Sequence, residues 1–415
     1  MVEKIFTKNI SNFSILIIFI LIFTGNIAFC DVINGRVIDE RGFPVPGVAI
    51  SITNGGSVTA NFDGYFQIAT EKLPYDLMIT DASNSTGVLY RGININNPEL
   101  VMFGDYPPRN VNSEAIKVEF PPIPRDRSAI IKFISNDLFY SEEVTAFTNE
   151  KSKTITVSWS QSSNMLSGKI IYLEKSSTTF EKFSEKSYTI IKDFYPQFVK
   201  FDTLTTYTKP EESNITVYLP TVTYNKVGFK VSGDFMSLHR NSGINFNTIE
   251  GNIIFSKCIV PMSIPYGFRL KVEGYGYNID GSGFTNTTYT SPNSVLNIAS
   301  ETPPKLTAPQ DKFWGVSSST EFGYEWGSGS GVYVIYFHCF NPSADFYVVT
   351  KEKFINSPFN YAGRILTGEE YSWKTFKYLT YITMDEFVRP KKFLNDVGYK
   401  AITESETRTF RKKMY

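Results

Sequence analysis

The chain has 415 residues, with 41 basic and 41 acidic side chains and two histidines, so its formal charge at neutral pH is zero. That balance excludes the basic footprint of a nucleic-acid-binding surface, and two histidines leave little from which to build a catalytic zinc site. Aromatics reach 15%, as 35 Phe and 25 Tyr against 4 Trp, a composition suited to pleated, half-buried surfaces.

Residues 1–30 read as an export leader. Lys4 and Lys8 supply a basic start, and Ile15–Phe23 is an apolar run of nine residues, short of the roughly 20 that span a bilayer. Ala28-Phe29-Cys30 fits a small-x-small site, which predicts cleavage before Asp31. An uncleaved anchor and a lipid on Cys30 are the alternatives; bulky Phe29 argues against the lipid. The expected location is therefore outside the cytoplasm: periplasm, cell surface or medium. Two lysines and one glutamate leave with the leader, so 39 cations face 40 carboxylates. Export permits a disulfide. However, Cys258 and Cys339 each sit in an apolar strand of a different expected domain, which predicts two buried thiols. The 385 residues after the leader exceed one ordinary core, and two to four domains are expected.

From Gly35 to Ile68 three short alternating runs are joined by turn residues. Val37 begins a strand that reverses at Glu40-Arg41-Gly42, Pro44 and Pro46 mark a connection, and Asp63-Gly64 is a hairpin turn signal. The predicted core is Val37, Val48, Ile50, Ile52, Phe66, Ile68, Leu77 and Ile79. The pattern Gly35-x-Val37-x-Asp39-x-x-Gly42-x-Pro44-x-Pro46-Gly47, followed by Asp63-Gly64-x-Phe66-x-Ile68, resembles the carboxypeptidase-regulatory-like domain. The resemblance implies a transthyretin-like β-sandwich over residues 31–106, an accessory module without catalytic residues. Pro107-Pro108 supplies an exit, and such a module is expected to fold alone.

Beyond it, Ala115–Phe120, Ala129–Ile134, Thr154–Trp159, Gly168–Glu174 and Phe198–Leu204 read as strands. Ile215–Leu219, Val227–Val231, Ile253–Val260, Phe268–Tyr277 and Ser294–Ile298 form a second group. Their spacing predicts Ig-like sandwiches over 109–210 and 211–302, divided near Lys209–Glu212. One larger sandwich over 110–301 is the alternative.

Pro303-Pro304 opens the last unit, 303–415. Phe322-x-Tyr324-x-Trp326, Tyr333-x-Ile335-x-Phe337 and Leu366-x-Gly368-x-x-Tyr371-x-Trp373 resemble a fibronectin type III domain. The resemblance implies that Trp326, Tyr333, Leu366 and Tyr371 are packing residues, with the last two forming a leucine–tyrosine corner. Met384–Asn395 departs from the pattern and predicts an inserted loop or short helix, with Asp385-Glu386 solvated. Arg408, Arg411, Lys412 and Lys413 read as a solvated basic tail.

The fold class is thus all-β: tandem β-sandwich domains, transthyretin-like and then Ig- or fibronectin III-like. No catalytic, cofactor-binding or metal-ligating residue is assigned, and no cofactor is expected. His338 lies on an apolar strand and His239 lies 99 positions away, without a zinc-ligand motif. Gly327–Gly331 lacks the serine of a nucleophile elbow. Asn278-x-Asp280-Gly281-Ser282-Gly283 lacks the distal carboxylate of a calcium loop and reads as a hairpin turn. The expected function is non-catalytic: binding, adhesion or a structural role toward a protein or glycan at the cell surface. Nucleic acid is not an expected partner, and a membrane enters only through the leader during export. One alternative is sugar binding through exposed aromatics, for which Tyr275, Tyr277 and Tyr378–Tyr381 are candidates. The other is a hydrolase with its site in 110–301.

Overall fold

Alternating apolar and polar residues, the mark of half-buried strands, become strand throughout the described residues. The computed structural model describes residues 31–413 apart from 41, 54, 84, 105–110, 136–137, 162, 178, 203, 221–223, 235–242, 252–254, 262–268, 300, 326, 328–329 and 391–398. The leader and its cleavage site, Pro107-Pro108, His239 and Trp326 lie outside these residues. The described residues hold 31 strands and two one-turn helices, none long and apolar enough to cross a membrane.

The first part of the chain carries β1 (Asp31–Asp39), β2 (Ala49–Ile52), β3 (Ser57–Thr59), β4 (Tyr65–Thr70), β5 (Tyr75–Thr80), β6 (Thr86–Ile93) and β7 (Glu99–Met102). A β4–β1–β7 layer faces β3–β2–β5–β6. All eight residues expected in this core are buried. At the β1–β4 end the chain needs glycine: Gly64 has φ +76°, and a Cβ there would stand 2.3 Å from the Val37 carbonyl oxygen.

Next come β8 (Val111–Glu119), β9 (Ser128–Ile134), β10 (Leu138–Ser141), β11 (Val144–Ala146), β12 (Ser152–Ser160), β13 (Met165–Lys175), β14 (Phe180–Ile191) and β15 (Gln197–Lys200). They form two sheets, β10–β12–β8–β15 and β11–β9–β13–β14, around Phe133, Trp159 and Tyr172. Then follow β16 (Glu212–Tyr218), β17 (Lys226–Asp234), β18 (Gly243–Glu250), β19 (Phe255–Pro261), β20 (Arg269–Tyr277), β21 (Gly283–Thr290) and β22 (Val295–Asn297). Here β19–β16–β22 faces β18–β17–β20–β21. The core between them, with Phe229 and Phe284, also takes in Ile130, Ile171 and Phe183 from the preceding strands.

The last part holds β23 (Lys305–Ala308), β24 (Phe313–Val316), β25 (Glu321–Glu325), β26 (Val332–Phe340), β27 (Ser343–Thr350), β28 (Phe354–Asn356), β29 (Glu370–Tyr378), β30 (Tyr399–Glu404) and β31 (Arg408–Lys412). A short β23–β25–β28 sheet covers β26, β27 and β29. Every described stretch expected to be strand contains one. The fold is all-β, built of tandem two-layer sandwiches. Strands β14 and β21 carry weak apolar alternation: β21 reads G-F-T-N-T-T-Y-T, held by pairing on both sides rather than by an apolar face.

The sandwiches are not separate beads. One fourteen-stranded sheet runs β18–β17–β20–β21–β30–β29–β26–β27–β6–β5–β2–β3, with β31 and β24 branching from β29. Strand β27 joins β6 in parallel, pairing Tyr347 with Val88 and Val349 with Tyr90. Because side chains alternate across a strand, this sheet is a wall shared by two cores. Val88, Tyr90, Val334, Tyr347 and Val349 face Val37 and Leu100 on one side. Leu89, Ile335, Phe337, Phe346 and Val348 face Leu306, Phe322 and Ile355 on the other.

The segment expected to depart from the fibronectin-like pattern has a packing role. A one-turn helix, Met384–Phe387, is opened by a capping box in which Thr383 and Glu386 bond reciprocally. Tyr381, Met384, Phe387 and Val388 fill the first sandwich's core. Asp385 Oδ1 accepts the Asn94 N–H at 2.8 Å, and the Val388 carbonyl accepts the Glu99 N–H at 2.7 Å. Asp385-Glu386 are therefore tied to structure rather than merely solvated.

Candidate binding site

The β4–β1–β7 layer covers only part of its face of the long sheet. Where that cover ends, the sheet floor opens into a cavity of about 440 Å³. Spacing of two residues along each strand puts Val334 with Tyr336, Lys374 with Phe376, and Ile402 with Glu404 on this one face. Glu40, Phe103 and Gly104, from the loops after β1 and β7, form one wall. Tyr277 and Thr285, from β20 and β21, form the opposite wall. Three distant stretches of chain thus meet around it.

The floor is aromatic. The Tyr336 and Tyr347 rings stack with centroids 4.8 Å apart at 26°, and Phe103 leans on Tyr347 at 5.3 Å. The polar groups are ordered by specific partners. Tyr336 Oη donates to Asp345 Oδ1 at 2.7 Å, and His338 Nδ1 lies 2.9 Å from the same oxygen. Lys374 Nζ is 3.0 Å from Glu404 Oε2 and sits 4.6 Å from the Phe376 ring centroid. Tyr277 Oη and Thr285 Oγ1 share a hydrogen bond of 2.9 Å. Glu40 Oε2 accepts the Gly104 N–H at 3.3 Å.

Burial, then the hydrogen bond and charge of Asp345, push the Tyr336 phenol up. Burial pushes Tyr347 up as well, reinforced by Asp345, Tyr336 and Glu40. Both phenols are neutral at any physiological pH. The cavity therefore offers ring faces, hydroxyls and carboxylates. Among the described residues no group of three or more His, Cys, Asp or Glu could hold a metal ion.

The residues singled out in the sequence are dispersed. His338 is a strand residue of β26 beside the cavity. Cys258 and Cys339 are buried free thiols, as expected. The Asn278–Gly283 stretch is the β20–β21 hairpin, where Asp280 Oδ1 accepts from Ser282 N at 2.9 Å and Ser282 Oγ at 2.7 Å. Of the candidate tyrosines, Tyr381 is core, Tyr275 donates to Glu250, and Tyr277 and Tyr378 reach the cavity. Tyr333, Leu366, Tyr371 and Trp373 are buried together, and Tyr371 Oη donates to the Gly368 carbonyl at 2.5 Å.

The basic C-terminal cluster is not a solvated tail through Lys412. Arg408, Arg411 and Lys412 lie in β31, which pairs with β24 and β29. Arg408 Nη1 donates to the Pro309 carbonyl at 2.9 Å, and Arg411 stacks 4.3 Å from the Trp314 ring centroid. Trp314, 68% exposed, and Phe340, 51% exposed, border a second hollow of about 340 Å³ with Glu370. Within 110–301 a cleft of about 530 Å³ is lined, among the described residues, by one carboxylate, Asp126, against Arg127, Lys175 and Lys257.

The cavity residues Glu40, Tyr336, Tyr347, Phe376 and Glu404 were not marked in the sequence. One signal existed: Val332–Phe340 is apolar at both parities, which indicates a strand covered on both faces rather than one. A solvated outer face would have been polar.

No protein-family model matches this chain, and no curated protein matches it. Among solved structures, a candidate adhesin from Bacteroides ovatus is similar over 47% of this chain and 91% of its own, at 8% identity and TM-score 0.18. A tetra-tandem repeat from the extending region of a large adhesion protein covers 92% of this chain and 99% of its own, at 9% identity and TM-score 0.16. The FN1–FN3 domains of chicken CNTN1 cover 71% of this chain and 100% of their own, at 11% identity and TM-score 0.16.

Proposed function

We propose that this chain is an exported, non-catalytic protein that binds a partner at the cell surface through the aromatic cavity on its open sheet face. Its proposed units are a leader over 1–30, a carboxypeptidase-regulatory-like module over 31–106, Ig-like modules over 109–210 and 211–302, and a fibronectin type III-like module over 303–415. The Tyr371–Gly368 hydrogen bond supports the last assignment, since it ties the corner tyrosine back to the chain three residues upstream. The observation that carries the binding reading is the cavity itself. It gathers aromatic faces and oriented polar groups from three parts of the chain, which is the make-up of a ligand pocket. Its polar groups are held by partners that suit recognition, with Lys374 on Glu404 and Tyr336 on Asp345.

The test uses labelled protein spanning residues 31–415, applied to cells of the native host. Saturable surface binding that falls in Tyr336→Ala, at a temperature where its melting curve shows the variant folded, is the expected result. Equal binding by wild type and variant sinks the cavity as the site, and turnover of peptides or glycosides by the wild type sinks the non-catalytic reading. Sugar binding is the second reading, favoured by exposed Trp314 beside Arg411, Phe340 and Glu370. A glycan screen in which Trp314→Ala removes binding selects it.

A further inference from the structure

We propose that the ligand of the cavity is an organic cation: an ammonium or guanidinium group carried on an apolar stem. The proposal rests on the reading of the cavity as the binding site and names its ligand chemistry. Three features argue for it. First, the Tyr336 and Phe376 rings line the cavity, and the negative face of an aromatic quadrupole attracts cations within about 6 Å of a centroid. The site already holds one such contact, Lys374 over Phe376.

Second, the charges of the described residues that line the cavity do not balance. Among them Lys374 is the one cation, and it is paired with Glu404 at 3.0 Å. Glu40 also lines the cavity, and among the described residues its only bond is from the Gly104 amide. Asp345, held by Tyr336 and His338, adds a further carboxylate beside the floor. An anion would meet this field unfavourably. A neutral sugar would leave the Glu40 charge without a counter-ion in a partly desolvated wall, where a charge pair is stronger than in water. Third, the cavity has room for a stem: its volume of about 440 Å³ exceeds what a lone ammonium ion fills, and its floor includes apolar Val334 and Ile402.

The experiment is a calorimetric titration of protein spanning residues 31–415 with cadaverine, agmatine, cellobiose and glutarate. The two cations are expected to bind and the neutral and anionic probes are not. Binding should weaken between 0.01 and 0.15 M salt, as the Debye length shortens from about 30 to about 8 Å. Glu40→Gln, an isosteric change at the rim, is expected to lower cation affinity about tenfold or more, because it removes one close charge partner. Tyr336→Ala is expected to abolish it, while Tyr336→Phe, which keeps the ring, retains it. Each variant is titrated at a temperature where its melting curve shows it folded. Cation binding unaffected by Glu40→Gln overturns the proposal, as does the absence of binding by both cations. Cellobiose binding that Tyr336→Ala removes overturns the cation while leaving the cavity as a binding site. Cell-surface binding unchanged in Tyr336→Ala sinks the site itself.

Discussion

Trp373 is enclosed by Phe322 and Phe337, with centroids 5.0 and 6.2 Å away, and is fully buried in the C-terminal core. Removing it leaves a void that the β-layers cannot close, so Trp373→Ala should cost about 3–5 kcal/mol. A denaturant midpoint equal to wild type would contradict this. Asp81 is a different case. Its carboxylate accepts from Ser85 N at 2.8 Å, Thr86 N at 3.0 Å, and the hydroxyls of Ser83 and Ser85, in the β5–β6 turn. Burial pushes its carboxyl up, but these bonds outweigh burial and hold it below the usual carboxylate value. A depressed folded value means that the contribution is whole above the unfolded value of about 3.9 and is lost as pH falls through the folded value. The stability gap between wild type and Asp81→Asn should therefore narrow on acidification below about pH 4. A gap constant from pH 7 to pH 3 would show that the carboxylate charge contributes nothing.

At the scale of elements, the helix Met384–Phe387 acts far from its place in sequence. Phe387 is buried against Tyr378 and Tyr381, at 5.3 and 5.0 Å, inside a core that residues 33–103 share with Val332, Val334, Tyr347 and Val349. Phe387→Ala should cost about 3–5 kcal/mol. Its signature should be faster amide exchange in β6 and β7, near 90 and 100, rather than in the middle sandwiches. Protection changed only around residue 387 would refute the coupling. Element identity was largely legible because alternation of the Val48–Ile52 kind reports a strand directly. Strand β21 was not, since β20 and β30 hold it on either side and its own sequence carries little apolar alternation.

The whole molecule is organised by the β6–β27 pairing. It removes two exposed edges, which would otherwise invite association, and it makes one sheet the wall of two cores. The expectation that 31–105 folds alone meets this directly: Val332, Val334, Tyr347, Val349 and Phe387 belong to its core. Residues 31–105 expressed alone should lack a cooperative thermal transition and gain one when the 303–413 segment is supplied. A cooperative transition of the isolated piece at the full-length temperature would show that the pairing adds no stability.

By itself the sequence determined what local chemistry can determine: β-structure from alternation, turns at Asp63-Gly64 and Asn278–Gly283, buried thiols at Cys258 and Cys339, and a tyrosine buried at 371. Each depends on a residue and neighbours a few positions away, so a linear reading suffices. The tertiary structure alone decided that Glu40, Tyr277, Tyr336 and Glu404 share one cavity, and that the 381–388 segment seals a core some 300 residues upstream. Strand pairing is a contact between backbones, and the N–H and C=O groups that join β6 to β27 are the same in every residue but proline. Side-chain order along the chain therefore carries almost no record of which edges meet, and the cavity exists only because those edges do.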